Sequence, residues 1–220
     1  VWRADLASLD DELGELLSPD EHARAEALLS PRRRQLWRRT RGVLRVLLGR
    51  YLDADPRVPR LASGAHGKPE LLDDSAGSSA ALAHPMLGSV SQRPTQLSFN
   101  LSHSGELALY AFARGGSVGV DLEVARRSVD HVAIAHRVLG VEEARRLRGL
   151  PPDCREREFV RAWTRHEATI KCRGTGFARA GHTDPGGLGT MWVAELEIGP
   201  GAAGAVTRER RPQRVRLWKL

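Results

Sequence analysis

The sequence predicts an α+β fold of two pseudo-symmetric halves, each a small antiparallel sheet packed on helices, divided as residues 1–116 and 117–220. Three observations point to it. Apolar residues recur at helical spacing up to Tyr51 and alternate with polar ones from Leu97 onward, and this order of helical and alternating stretches returns after residue 129. Gly- and Pro-rich turns join the alternating runs in both halves, as antiparallel meanders require. A chain of 220 residues can bury one large core or two small ones. No residue-level repeat proves a duplication.

In order, Ser18-Pro19-Asp20-Glu21 marks a helix start, with Ser18 as N-cap, Pro19 at the first helical position and Glu21 closing a capping box. Ser30-Pro31 opens a longer helix with Leu36, Val43, Leu44, Leu47, Leu48 and Tyr51 as its apolar stripe. On another face lie Arg34, Arg38, Arg41 and Arg45. A solvated face mixes signs, so this one-signed stripe is expected to meet an anion. Residues 53–96, rich in Asp, Pro, Gly, Ala and Ser, read as a long connection with little regular structure, and residues 73–83 as a surface insertion without catalytic role. Leu97 to Leu101 is a strand, Ser102 to Gly105 a turn and Leu107 to Ala113 a second strand. Arg114-Gly115-Gly116 turns into a third strand at Ser117 to Glu123, so all three are expected in one antiparallel meander. Residues 129–150 form two short helices broken near Gly140, and Pro151-Pro152 ends them. A further helix spans 155–172, buried along Phe159, Trp163 and Ile170, and residues 191–198, 202–207 and 215–220 are strands.

A net charge of +7 and a pI near 10.3 suit an acidic partner: a phosphorylated ligand, nucleic acid or an acidic protein surface. Among 34 basic residues only Lys68, Lys171 and Lys219 are lysines, which singles those positions out. Cys154 and Cys172 have neither metal nor redox spacing, so a reducing compartment is expected. No apolar run reaches membrane-spanning length and the N-terminus lacks a signal pattern, so the expectation is a cytoplasmic protein with no membrane partner.

In Ser117-Val118-Gly119-Val120-Asp121-Leu122-Glu123 the alternation puts Asp121 and Glu123 on one strand face, about 6.5–7 Å apart along the backbone. Such a pair is either a solvated strand end or a cation site. Glu167 is the candidate third carboxylate, and Lys171 follows it by one helical turn. Alone, Glu167 and Lys171 read as a surface ion pair. With Asp121 and Glu123 they supply oxygen ligands for a hard cation such as Mg²⁺, which commonly bridges to phosphates. His103 in its serine turn, Lys68 and the arginine stripe add phosphate-binding cations from other segments.

These motifs resemble the Sfp-type (surfactin-type) 4′-phosphopantetheinyl transferases, the larger, pseudo-dimeric class of that superfamily. The match runs through the Ser18-to-Arg24 helix start, the arginine-rich helix, Gly67-Lys68-Pro69, Phe99-Asn100-Leu101-Ser102-His103-Ser104, Gly119-Val120-Asp121-Leu122-Glu123 and Trp163-x-x-x-Glu167-Ala168-x-x-Lys171. The resemblance implies transfer of the phosphopantetheine arm of coenzyme A, the co-substrate, to a serine of an apo acyl or peptidyl carrier protein, releasing adenosine 3′,5′-bisphosphate. It implies Asp121, Glu123 and Glu167 as Mg²⁺ ligands and Lys171 on a diphosphate oxygen; the serine proton needs an acceptor, and Glu167, directly or through a metal-bound water, is the expected one. It assigns Arg24, Arg41, Lys68, Ser102 and His103 to coenzyme A, at the adenosine 3′-phosphate end, and carrier docking to the segment between Glu123 and Arg155. The pseudo-symmetry implies a monomer with one site between its halves. One position departs from the family: His166 stands where lysine usually precedes the glutamate. The expected result is a weaker or pH-dependent charge there.

Two other readings compete. A basic nucleic-acid-binding protein is disfavoured because aromatic residues make up only 5%, too few for stacking platforms, and no zinc spacing is present. A catalytically silent homologue that binds coenzyme A or carriers is motivated by His166 alone.

Overall fold

Short local signals set the first helices. The computed structural model describes residues 1–63, 68–72, 97–125, 130–174 and 191–220. After strand β1 (Trp2–Asp5), α1 (Pro19–Glu26) starts on a complete capping box: Ser18 Oγ accepts from the Glu21 N–H and the Glu21 carboxylate accepts from the Ser18 N–H. α2 (Pro31–Leu52) starts on Ser30, whose hydroxyl accepts from the Arg33 N–H. It ends at Asp53 in the left-handed region (φ 53°). β2 (Leu61–Ser63) and β3 (Pro69–Leu71) then pair antiparallel, so the connection expected to hold little regular structure contains a hairpin. Three-residue strands show too little alternation to stand out in a sequence. The 73–83 insertion and Gly67 lie outside the described residues.

β4 (Leu97–Ser104) and β5 (Leu107–Arg114) form a hairpin in which Ser102, His103 and Ser104 belong to the strand, not to the turn. The loop is Gly105-Glu106, with Gly105 at φ 60°. β6 (Val118–Val124) follows, then α3 (His131–Val138), α4 (Val141–Arg148), α5 (Pro152–Arg173), β7 (Trp192–Leu196), β8 (Ala202–Arg208) and β9 (Trp218–Lys219). The break between α3 and α4 falls at Gly140, as expected. Pro152 opens α5 at its first position.

The strands divide into a four-stranded sheet, β4-β5-β1-β9, the β2-β3 hairpin, and a three-stranded sheet, β6-β8-β7. The single meander expected from β4 through β6 is therefore corrected. Gly115 and Gly116, both at positive φ (68° and 114°), redirect the chain, and β6 pairs antiparallel with β8. β1 lies between β5 and β9, antiparallel to the first and parallel to the second. The C-terminal strand thus returns to the first sheet.

α2 packs Val43, Leu44, Leu47 and Leu48 on Ala4, Phe99, Ala108 and Tyr110 of that sheet. A second cluster, including Leu109, Val120, Leu122 and Val206, fills the space between the sheets. The third joins Ala135 and Leu147 to Phe159 and Val160 of α5. The arginine stripe meets carboxylates of this same chain: Arg34 and Arg38 pair with Glu26, and Arg45 is buried against Glu21 at 2.6 Å. Among the described residues no helix is long and apolar enough to cross a membrane.

Candidate active site

β6 lies against α5 with almost no space between their backbones. A Cβ on Gly119 would stand 2.0 Å from the Ala168 carbonyl oxygen and 2.4 Å from the Cys172 nitrogen, so only glycine permits this approach. Alternation along β6 then turns Asp121 and Glu123 to the helix side, opposite the buried Val120 and Leu122. From the facing side of α5 come Glu167, buried, and Lys171, one turn later.

The charges at this seam are partly balanced. Lys171 Nζ donates to Asp121 Oδ1 at 2.6 Å and to Ser102 Oγ at 3.0 Å, while Ser102 donates to the same Asp121 oxygen at 2.9 Å. Lys171 therefore reaches across to β6 and does not pair with Glu167 along its own helix. Asp121 Oδ2 and Glu167 Oε1 are buried without a hydrogen-bond partner. Burial, followed by the charge of Asp121, pushes the Glu167 carboxyl up to about 7; Lys171 opposes this shift and Glu123 adds to it. The side chains thus feel one another, although among the described residues no group of three His, Cys, Asp or Glu side chains stands in a preassembled metal-holding arrangement.

Glu123 Oε2 accepts from Ser104 Oγ at 3.1 Å. Lys68, immediately before β3, donates to the Lys171 carbonyl at 3.2 Å, in the last turn of α5 where carbonyls lack helical partners. His103 points away from Ser102 and Ser104 and is solvent-facing. Partial burial, then Lys171 and Arg33, lowers its pKa and favours the neutral ring at neutral pH. Arg24 and Arg41 come near each other in the first half. Burial lowers the Arg41 pKa, Glu21 opposes this and Arg24 adds to it, with the Arg41 guanidinium 5.2 Å over the Trp37 ring. His166 has a buried, unpartnered Nε2, and burial followed by Arg173 lowers its pKa.

Residues 117–215, which carry Asp121, Glu123, Glu167 and Lys171, match the family model of the 4′-phosphopantetheinyl transferase superfamily. The 4′-phosphopantetheinyl transferase HetI of Nostoc sp. is 35% identical over 182 residues, 81% of this chain and 70% of the relative. The chain belongs to the 4′-phosphopantetheinyl transferase superfamily. A Synechocystis sp. protein provisionally named for the same activity is 32% identical over 74% of this chain and 59% of its own length. The 4′-phosphopantetheinyl transferase AcpT of Salmonella typhi is 34% identical over 59% and 56% of the two chains. As a superfamily member the chain is a phosphopantetheinyl-transferring enzyme, and the family implies coenzyme A as substrate and a carrier protein as partner.

Three residues that shape this transferase site escape sequence reasoning as functional positions: Asn100, Ser104 and Gly119. Period two along β4 does put Asn100, Ser102 and Ser104 on one face, and that is the signal available. What that face meets depends on β6 leaving the first sheet.

Proposed function

We propose that this chain transfers the 4′-phosphopantetheine arm of coenzyme A to a serine of an apo acyl or peptidyl carrier protein in a Mg²⁺-dependent reaction that releases adenosine 3′,5′-bisphosphate. One observation carries the reading: Asp121 and Glu123 of β6 and Glu167 and Lys171 of α5 face one seam, with Asp121 Oδ2 and Glu167 Oε1 buried and unpartnered. Unpaired buried carboxylate oxygens cost free energy that a cation recovers. An all-oxygen donor set fits a hard ion, so Asp121, Glu123 and Glu167 would hold Mg²⁺. Bound there, Mg²⁺ would neutralise charge on the diphosphate.

The residues divide the remaining work. Lys171 offers its ammonium to a diphosphate oxygen, which becomes more negative as the bond breaks. Glu167, whose carboxyl titrates near neutrality in the metal-free protein, accepts the proton of the carrier serine. The serine oxygen forms its bond to the phosphorus bearing the pantetheine arm. The bond from that phosphorus to the bridging oxygen breaks, and adenosine bisphosphate leaves with the electron pair. Lys68, His103, Arg24 and Arg41 supply hydrogen bonds and charge toward the adenosine 3′-phosphate end, whereas Ser102, also expected there, has its one proton on Asp121 and would have to release it to reach a phosphate. An apolar hollow of about 240 Å³, lined by Glu123, His131, Ile134, Phe159 and Trp163 among others, supports carrier docking between Glu123 and Arg155. Two sheets, one in each part of the chain, support the pseudo-dimeric Sfp-type subclass, acting as a monomer with halves 1–116 and 117–220, although β9 crosses to pair with β1 in the first sheet.

Incubating the protein with coenzyme A, Mg²⁺ and an apo-carrier protein tests this by intact mass. The expected result is a phosphopantetheine adduct that disappears with Glu167→Gln. No adduct on fatty-acid, polyketide or nonribosomal-peptide carriers would overturn it.

A further inference from the structure

The first sheet ends on β4 and the second on β6, and these two edge strands pack against each other. Among the described residues no main-chain ladder joins them. An edge strand leaves a row of N–H groups that need acceptors. Here side chains supply them. Asn100 Oδ1 accepts from the Val120 N–H at 2.9 Å, and Ser104 Oγ accepts from the Val124 N–H at 3.1 Å. Both residues are buried on the same face of β4 as Ser102.

The Ser104 bond has a directional consequence. A hydroxyl has one proton and two lone pairs, so accepting from Val124 leaves that proton free to point elsewhere. It points to Glu123 Oε2, 3.1 Å away. One buried oxygen thus ties the Glu123 carboxylate to the backbone of the next residue in the same strand. Two residues earlier Ser102 donates likewise to Asp121 Oδ1, but its oxygen accepts from Lys171 Nζ and not from backbone.

We propose that Ser104 is a positioning residue for the metal site: it fixes the Glu123 carboxylate toward Asp121 and Glu167 while stitching the two sheets together. The inference rests on the Mg²⁺-dependent transferase reading above. Hydrogen bonds to ligating carboxylates set their direction, and removing such an outer partner typically costs metal affinity about 10- to 100-fold.

The test measures Mn²⁺ binding directly, by electron paramagnetic resonance of the free ion, at a fixed coenzyme A concentration. Ser104→Ala is expected to weaken Mn²⁺ binding about 10-fold or more. It should also raise the apparent metal KM while leaving kcat at saturating metal close to wild type. Ser104→Thr, which keeps the hydroxyl, is expected to restore most of the affinity. Thermal unfolding of each variant separates a folded protein from a collapsed one. Mn²⁺ affinity unchanged in Ser104→Ala, or an equal loss in a folded Ser104→Thr protein, overturns the inference alone. Wild-type protein that binds no Mn²⁺ overturns the metal reading and this inference with it.

Discussion

Replacing Gly119 by alanine probes the contact on which the site depends. The added Cβ would meet backbone atoms only: the Ala168 carbonyl oxygen at 2.0 Å, the Cys172 nitrogen at 2.4 Å and the Cys172 Cα at 2.9 Å. No rotamer change relieves such a clash. Restoring ordinary contact, which begins at 3.4 Å, requires β6 and α5 to separate by about 1.4 Å at the carbonyl. Overpacking a rigid core costs about 1–3 kcal/mol and at times more, and backbone on both sides puts this case at the upper end. For a chain of this size about 3 kcal/mol lowers the unfolding midpoint by roughly 6–12 °C. Transfer should suffer independently. Asp121 and Glu123 ride on β6 and Glu167 and Lys171 on α5, and a misplacement of about 1 Å can cost 100-fold in rate. Thermal unfolding and initial rates of holo-carrier formation by intact mass measure the two effects. Gly14→Ala is the control, because a Cβ there meets nothing within 4 Å. A Gly119→Ala protein with wild-type midpoint and wild-type transfer would refute the close approach itself.

Other substitutions test the charge balance. In the metal-free protein the Glu167 carboxyl is raised to about 7 from an ordinary 4.5, so the folded state holds its proton more tightly than the unfolded chain does. Its contribution to stability therefore falls as pH rises from 4.5 to 7 and becomes a full penalty above that, on the order of 3 kcal/mol. Glu167→Gln should accordingly raise the metal-free unfolding midpoint at pH 8 and leave it nearly unchanged at pH 4.5; an equal shift at both would sink this account. Lys171→Met removes the partner of Asp121 and the proposed diphosphate cation, and is expected to cut transfer by about 100- to 1,000-fold while Mn²⁺ binding is kept, measured by rate and by titration. Loss of Mn²⁺ binding would count against the assigned division of roles. Glu21→Ala strands Arg45, whose side chain is 3% exposed, beside backbone carbonyls only, and should cost about 3–5 kcal/mol in denaturant unfolding. A cost under about 1 kcal/mol would mean that those carbonyls alone satisfy the guanidinium.

Local signals were the ones the chain wrote openly. The capping residues Ser18 and Ser30, the break at Gly140 and the acids on β6 and α5 each depend on near neighbours, so their spacing reveals them. What stayed hidden depends on distant pairing. β1 has four residues and becomes a central strand only because β5 and β9 flank it. β9 has two residues and exists through pairing with β1. The alternation of β6 is as clear as that of β4 and β5, but alternation does not say which strand is the neighbour. Lys171 shows the same limit at the site. Helical spacing offers Glu167 as its partner, whereas the approach permitted by Gly119 brings Asp121 within 2.6 Å. The arginine stripe drew attention by its single sign, and its counter-charges, Glu21 and Glu26, sit on a different helix.

The two oxygens of Asp121 explain how one carboxylate can serve a lysine and a cation together. Oδ1 takes the Lys171 and Ser102 hydrogen bonds, while Oδ2 is buried and unpartnered. An ammonium has three protons, and Lys171 spends two of them, on Asp121 and Ser102. Among the described residues no third acceptor is seen, and in the proposed reaction the third proton would go to a diphosphate oxygen. Lys171 therefore need not release Asp121 when substrate arrives, and Asp121 need not turn to meet a cation on its other oxygen. Glu167 has an unpartnered buried oxygen as well, and burial with the charge of Asp121 raises its pKa to about 7, the mark of a carboxylate short of counter-charge. A cation beside Glu167 would lower its raised pKa, so it loses basicity as that charge is supplied. Serine deprotonation by Glu167 and tight metal ligation by Glu167 thus oppose each other. In the proposed reaction, ligand strength shared toward Asp121 and Glu123, each hydrogen-bonded by a β4 serine, would leave Glu167 the basicity to take the proton.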